Sequence, residues 1–386
     1  MSELLNIIES MQAEAATTEK LFGREGVKAQ TTVAKMDPAT KREGLRIIDG
    51  ALKGNTRDIL TFQEAMTTSD FSNLFGDVLD RQLLGGYQSL PTTYQQYLRV
   101  GQVRDFRTVK RFYVNGAEAV LTAVAEQEEY PEAGLSDGKY SYAVQKYGRR
   151  LPFSWETFIN DDLGAFMDSV ERLGIAARRT EEKFATQLFA GTTGPNGTFF
   201  ASGNFNVMAT PANPLLSLTA MQAAFTLLSN QRDADGEPIF IDTVFLVVPP
   251  ALAVVANNRV NATELWLTEQ PGSTTNQVHV GNWMRGKVNV IVNYYLPIIS
   301  TTNGATSWYM FASPGAGRPA AEIGFLRGNR EPAIFVKNPN AIRIGGCSDP
   351  MDGDFDTDTI EYKVRHVMGG TLMDPKMAVA SNGTGS

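Results

Sequence analysis

The chain has one cysteine, Cys347, and only two histidines, His279 and His366, in 386 residues. A single cysteine excludes an internal disulfide framework and fits a reducing compartment. Two histidines leave little material for histidine-based catalysis or zinc sites. No window of about 18 apolar residues occurs, which argues against a transmembrane helix. The opening run MSELLNIIESMQAEAA has no basic region ahead of an apolar core, so no secretory signal is expected. There is no internal repeat. The net charge of −7 gives the chain as a whole no electrostatic pull toward nucleic acid. What is present, 42% hydrophobic and 20% charged residues, fits a folded soluble protein with more than one substructure.

Motifs for chemistry are equally scarce. The run DPMDGDFDTD (349–358) suggests calcium, but a loop begun at Asp354 would place Thr359 and Arg365 where an EF-hand needs Gly and Glu. It reads as a solvated acidic loop, and no metal site is assigned. GTTGPNG (191–197) lacks the Lys-Ser/Thr ending of a phosphate loop and reads as a turn. His366 lies on the apolar side of a strand and is expected to be packed and hydrogen-bonded. His279 stands in what reads as a polar loop, with no Cys or carboxylate at ligand spacing. No serine has the hydrolase elbow motif, and Cys347 reads as a small buried residue. The basic run Arg104, Arg107, Lys110 and Arg111 lacks the aromatic platform of a nucleic-acid site. No catalytic residue and no cofactor is assigned, and an α/β enzyme would need a titratable cluster in a cleft to revive it.

The strongest signal is Asp161–Ala190, which reads as one long helix. Leu163, Phe166, Met167, Val170, Leu173, Ala177, Phe184 and Leu188 recur at steps of three and four. Asp161 is the expected N-cap and Gly191 the expected left-handed residue after the end. The other face carries Arg178, Arg179, Glu181, Glu182 and Lys183, read either as solvated or as covered by a second chain. Before it, helices are expected over residues 3–22, from Asp37-Pro38 to Gly54, and from Ser69 to Gly85-Gly86. Polar gaps separate them, so the region reads as an arm that rests on something else.

Residues 102–114 and 139–152 read as the outgoing and returning strands of a long hairpin. Glu126, Glu128, Glu129, Glu132 and Asp137 lie near its tip. An isolated two-stranded ribbon is marginal in water, so it is expected to lean on another surface. Residues 215–345 read as a separate α/β segment. It holds a helix at 218–228, a continuous apolar strand at 243–248, a helix after Pro249-Pro250, and strands at 287–294 and 308–311. Thr359–Met368 alternates strictly, as a half-buried strand does. The closing SNGTGS reads as flexible filler.

This order of parts resembles the major capsid proteins of tailed bacteriophages with the Hong Kong 97-type fold, in the actinobacteriophage and Mu-like head subunit group. The carrying residues are Lys146–Ser154 (KYGRRLPFS), Asn160–Gly164 (NDDLG), Ala176-Ala177 in the long helix, Glu361–Arg365 (EYKVR) and Gly369-Gly370. The resemblance implies an α+β fold. It would have an N-terminal arm over 1–98, an extended β-hairpin loop over 99–152, and a peripheral domain over 153–214 with a long spine helix. An α/β axial domain would cover 215–345, and peripheral return strands 346–386.

The resemblance also implies a structural protein without enzymatic activity. It would self-assemble as hexamers and pentamers into an icosahedral shell enclosing double-stranded DNA, in the virion, after assembly in the host cytoplasm. Scaffolding, portal and decoration proteins are possible partners, and no membrane is implied. In that family the extended loop lies across a neighbouring subunit. The subunit-contact candidates are therefore Glu126, Glu128, Glu129 and Glu132 at the tip, facing Arg104, Arg107, Arg178 and Arg179 of another copy. Lys139 and Lys146 lie in the loop region, but nothing marks a partner Asn or an assisting Glu, so no isopeptide crosslink is assigned. The alternative is an encapsulin-like bacterial nanocompartment shell protein, which uses the same fold.

Overall fold

The computed structural model describes residues 38–52, 69–115, 136–154, 163–208, 213–268, 277–316, 318–337 and 354–385, with positions 55, 57, 58, 61, 120, 121, 123, 124, 126, 127, 129 and 156 between them. Its principal helices are α1 (Pro38–Leu52), α2 (Ser69–Ser89), α3 (Leu163–Phe189), α4 (Leu218–Ser229), α5 (Pro250–Asn261) and the single turn α6 (Leu296–Ile299). Strands β1 (Arg99–Val103), β2 (Val109–Asn115), β3 (Ser136–Tyr142) and β4 (Gln145–Ser154) precede α3. After it come β5 (Ala190–Gly191), β6 (Gly194–Pro195), β7 (Val244–Val248), β8 (Glu264–Thr268), β9 (Gln277–Gly281), β10 (Val288–Val292) and β11 (Trp308–Ala312). The series ends with β12 (Ala321–Leu326), β13 (Ala333–Val336), β14 (Thr359–Leu372) and β15 (Ala378–Ser381). The chain divides into two compact units. The first takes the described residues within Met1–Pro91, Lys146–Arg179 and Gly328–Val367, and the second those within Thr92–Gln145, Thr180–Arg327 and Met368–Ser386.

In the first unit, apolar periodicity produces one shared core. Leu45, Ile48 and Ala51 of α1 pack with Val78, Leu79 and Leu83 of α2, and with Met167 and Val170 of α3. Alternate residues of β14, Ile360, Tyr362 and Val364, close it. The surface on which α1 and α2 rest their apolar faces is thus supplied by α3 and β14 of the same chain. Beside that core β14 pairs antiparallel with β13, Val364 opposite Ile334, and β4 pairs with β14 as well. Helices α2 and α3 approach backbone to backbone. A Cβ at Gly174 would sit 2.1 Å from the Leu83 carbonyl oxygen, and one at Gly86 would sit 2.2 Å from that of Glu171. That explains why α2 continues through Gly85-Gly86 instead of ending there: Gly86 is a crossing point.

In the second unit the sheet order is β10-β7-β11-β15. β7 runs parallel to β10 and antiparallel to β11, and β15 closes antiparallel on β11. Trp308, Tyr309, Met310 and Phe311 are all fully buried, as expected of a strand covered on both faces. Tyr97, Phe189, Tyr309 and Phe311 meet edge-on or tilted at 4.9–6.0 Å. β12 pairs parallel with β1, and antiparallel with the last residues of β14.

Several local expectations are corrected. The outgoing strand breaks at the bend 104–107, where the Asp105 side chain accepts the Arg107 N–H at 3.1 Å and makes an Asx turn. The return strand breaks after Tyr142, because β3 pairs with β2 whereas β4 pairs with β14. Gly191 is not left-handed: α3 passes straight into β5, and the positive φ (118°) falls on Gly194. Asn196 takes the capping role, since its N–H donates to the Phe189 carbonyl (2.9 Å) and its Nδ2 to that of Leu188 (3.2 Å). The tail is not filler. Ser381 is buried and donates to the Pro214 carbonyl at 2.7 Å, and Gly385 N–H donates to Asn213 at 2.8 Å. Asp37, Asp161, the helix at 3–22 and Cys347 lie outside the described residues.

Candidate subunit-contact surfaces

The expected hairpin exists as β2 and β3, a two-stranded sheet with Val109 opposite Tyr142 and Asn115 opposite Ser136. Its own packing is thin. Tyr113 stacks on Tyr140 at 4.7 Å, a diagonal cross-strand pair. The ring covers Gly138, where a Cβ would lie 2.2 Å from the phenol. Phe112 is exposed, and Leu121 beyond the strand is 95% exposed. Glu126 and Glu129 are exposed with Gln127 left-handed between them, whereas Glu128 and Glu132 lie outside the described residues. Arg104 and Arg107 are exposed in the bend before β2.

The root of the hairpin holds a polar triad built around a buried carboxyl. The Glu322 carboxyl on β12 is fully buried and accepts from Arg111 Nε at 2.8 Å and from the Tyr142 hydroxyl at 2.5 Å. Arg99 Nε stands 3.6 Å away on the other oxygen. Space for this comes from two glycines in register, Gly101 opposite Gly324. A Cβ on the first would meet Glu322 Oε1 at 2.3 Å, and one on the second the Tyr142 hydroxyl at 2.4 Å. Burial, then the bond to Glu322, pushes the Tyr142 phenol up to about 12. Arg111 is thus tied into its own chain and is not a loose member of a basic strand.

Above the triad, still in the second unit, opens a cleft of about 740 Å³. Arg99, Lys110, Arg111, Arg318 and Lys376 supply its positive charge, and Phe112, Tyr113 and Tyr140 supply aromatic walls. Among the described residues of the lining, Asp374 is the one acidic member. Burial, then Asp374, raises the Tyr140 phenol.

The charged face of α3 is solvated only in part, at Arg179 and Lys183. Glu181 accepts from the Tyr94 hydroxyl at 2.9 Å, and Glu182 from the Thr93 N–H and hydroxyl at 2.5 and 2.8 Å. Both glutamates are buried because residues 92–97 lie over them. Burial raises the Glu182 carboxyl, and the Thr93 donors pull it back. Arg178 sits over the Tyr87 ring at 3.8 Å and donates to the Tyr87 carbonyl at 3.1 Å, whereas Arg179 is exposed. The structure therefore leaves Arg104, Arg107 and Arg179 as the exposed cations among the candidates.

Remaining chemistry is sparse. Among the described residues no group of three or more His, Cys, Asp or Glu is placed to hold a metal. His366 is buried edge-on to Tyr87 at 6.1 Å. His279 is not in a loop. It lies on β9 with Nδ1 3.0 Å from Glu264 of β8, a partner hidden in the sequence by the hairpin between them. Among the described residues no helix is long and apolar enough to cross a membrane.

Comparison with known proteins follows the same line. No curated protein matches the chain. Among solved structures, the head of Helicobacter pylori bacteriophage KHP40 shares 10% identity over 74% of this chain and 86% of its own, with a TM-score of 0.46. Mycobacterium phage Ogopogo shares 12% over 75% and 93%, with a TM-score of 0.42. The SrpI encapsulin complex of Synechococcus elongatus PCC 7942 shares 10% over 78% and 94%, with a TM-score of 0.45. The mixed helix-and-sheet architecture agrees with the Hong Kong 97-type expectation. The family described as phage capsid protein matches residues 139–381, well over half of the sequence. The chain belongs to that phage capsid protein family and is a structural protein of the capsid shell.

Proposed function

We propose that copies of this chain join as hexamers and pentamers and close into an icosahedral shell around double-stranded DNA, assembled in the host cytoplasm. Its work is structural, with no catalysis. Scaffolding, portal and decoration proteins are further partners in this reading. The observation that carries it is the β2–β3 hairpin, a separate two-stranded sheet with exposed Phe112 and Leu121. Such a ribbon is marginal in water and gains stability by lying on another surface. Assembly by rotation closes rings, and many modest contacts add through multivalency. The net charge of −7 suits a container that should not grip its packaged DNA. In this reading residues 1–98 act as the arm, 99–152 as the extended loop, 153–214 with 346–386 as the peripheral domain, and 215–345 as the axial domain.

The contact set follows from charge. The tip acids Glu126, Glu128, Glu129 and Glu132 face Arg104, Arg107 and Arg179 of a neighbouring copy, with Arg178 stiffening that surface from its place on Tyr87. Each rim pair contributes at most about 1 kcal/mol, so the effect on assembly is cumulative. Reversing Glu126 and Glu129 to Lys together should reduce particle yield, and reversing Arg104 and Arg107 to Glu in the same chain should restore it. Unchanged yield in the tip variant would remove the tip from the contact.

A further inference from the structure

The turn 354–358 is built tightly and shows an apolar side chain to solvent. Asp354 N–H donates to the Thr359 carbonyl at 3.0 Å, and Asp358 N–H donates to that of Asp354 at 2.8 Å. The Thr357 and Thr359 hydroxyls meet at 2.8 Å, and Lys337 Nζ stands 3.6 Å from Asp354. Asp358 takes the left-handed conformation, φ 47°. On this hydrogen-bonded turn Phe355 keeps 77% of its surface exposed, with Asp356 and Asp358 exposed beside it. A phenylalanine presented on a turn whose backbone is already hydrogen-bonded has less chain left to order on binding.

The cleft above Glu322 has the complementary character. Lys110, Arg318 and Lys376 stand around an aromatic wall of Phe112, Tyr113 and Tyr140. Its volume of about 740 Å³ is large enough for a phenyl ring with its flanking backbone. Asp374 on the wall opposes a uniformly anionic polymer such as nucleic acid, whereas a short acidic turn with an aromatic side chain matches both the cations and the rings.

We propose that the basic, aromatic-walled cleft of one copy receives the acidic turn 354–358 of a second copy, with Phe355 inserted against Phe112 and Tyr140 and with Asp356 facing Lys110 and Arg318. This contact rests on the shell reading above but is separate from the hairpin-tip pairing. It joins two surfaces that the chain itself supplies, so it is heterologous and propagates around a ring.

The test places a photoreactive benzoylphenylalanine at position 355 in full-length chains and irradiates purified particles. The expected product is a dimer-sized band whose linked peptide contains Lys110–Tyr113, Tyr140 or Arg318–Pro319. A link within a single chain, a link to another surface, or a link to packaged DNA would overturn the contact. In parallel, Lys110→Glu should lower particle yield several-fold, and Asp356→Lys in the same chain should restore it. Yield unchanged by Lys110→Glu, or not restored by the second change, would also overturn it. Both residues are exposed, so loss of folding is not the expected cause, and circular dichroism of the variants checks this. Unaltered chains that form no particles would count against the shell reading itself, whereas particles with the crosslink elsewhere count against this contact alone.

Discussion

Glu322 is a fully buried carboxyl held by Arg111 and Tyr142. Removing Arg111 leaves the buried Glu322 carboxyl without its closest cationic partner, at a cost of about 3–5 kcal/mol. Arg111→Ala should therefore destabilise strongly in denaturant unfolding. Tyr142→Phe deletes one hydrogen bond and should cost about 1–2 kcal/mol. Equal effects of the two would contradict the geometry. Glu182 makes a pH-dependent prediction. Its carboxyl is raised above the ordinary 4.5, mainly by burial. The folded chain thus holds a proton there more tightly than the unfolded chain. The resulting stabilisation is complete below about pH 4.5 and is lost as pH rises through the folded value. Glu182→Gln mimics the protonated form while keeping an acceptor for the Thr93 N–H. Its stability relative to the unaltered chain should rise between pH 4 and pH 8, as read by thermal unfolding across that range, and a flat difference would contradict the assignment.

The crossing of α2 and α3 turns on glycine. Gly174→Ala and Gly86→Ala would drive a methyl into a backbone carbonyl and should each cost at least about 1–3 kcal/mol. Gly85, one residue away, has open space around its Cβ position. Gly85→Ala should instead stabilise the chain by about 0.5–1 kcal/mol through helix propensity. Opposite signs at adjacent positions make a sharp test in chemical denaturation. The same elements show what could be read from sequence. The 3.6-residue stripe of α3, the apolar runs of β7 and β11, and the alternation of β14 are local signals, and they place a helix at 161–190, against the observed Leu163–Phe189, and put the strands nearly in place. Gly85-Gly86 looked like a stop because a glycine pair carries no mark of what approaches it. Glu181 and Glu182 read as solvated or as covered by a second chain, because the Thr93–Tyr97 segment that covers them lies more than 80 residues away in sequence. The triad at Glu322 was missed for the same reason: its three members come from β2, β3 and β12. The tail misled by composition, since small polar residues beside a buried strand look like a linker.

At the scale of the whole molecule, the family match makes this chain a shell protein, and the β2–β3 hairpin and the basic cleft are the surfaces we propose for contact with other copies. Contacts made of exposed ion pairs weaken as salt screens them. Particle assembly should therefore fall off as ionic strength rises, and less steeply for tip variants with fewer acids, as followed by light scattering. The most direct measurement is cryo-electron microscopy of the particles that this chain forms. The account predicts closed icosahedral shells in which each hairpin tip lies against a neighbouring copy, with Glu126 and Glu129 near its arginines. Shells whose hairpin tips point into solvent in every copy, or a chain that forms no closed particle with its head partners present, would contradict it.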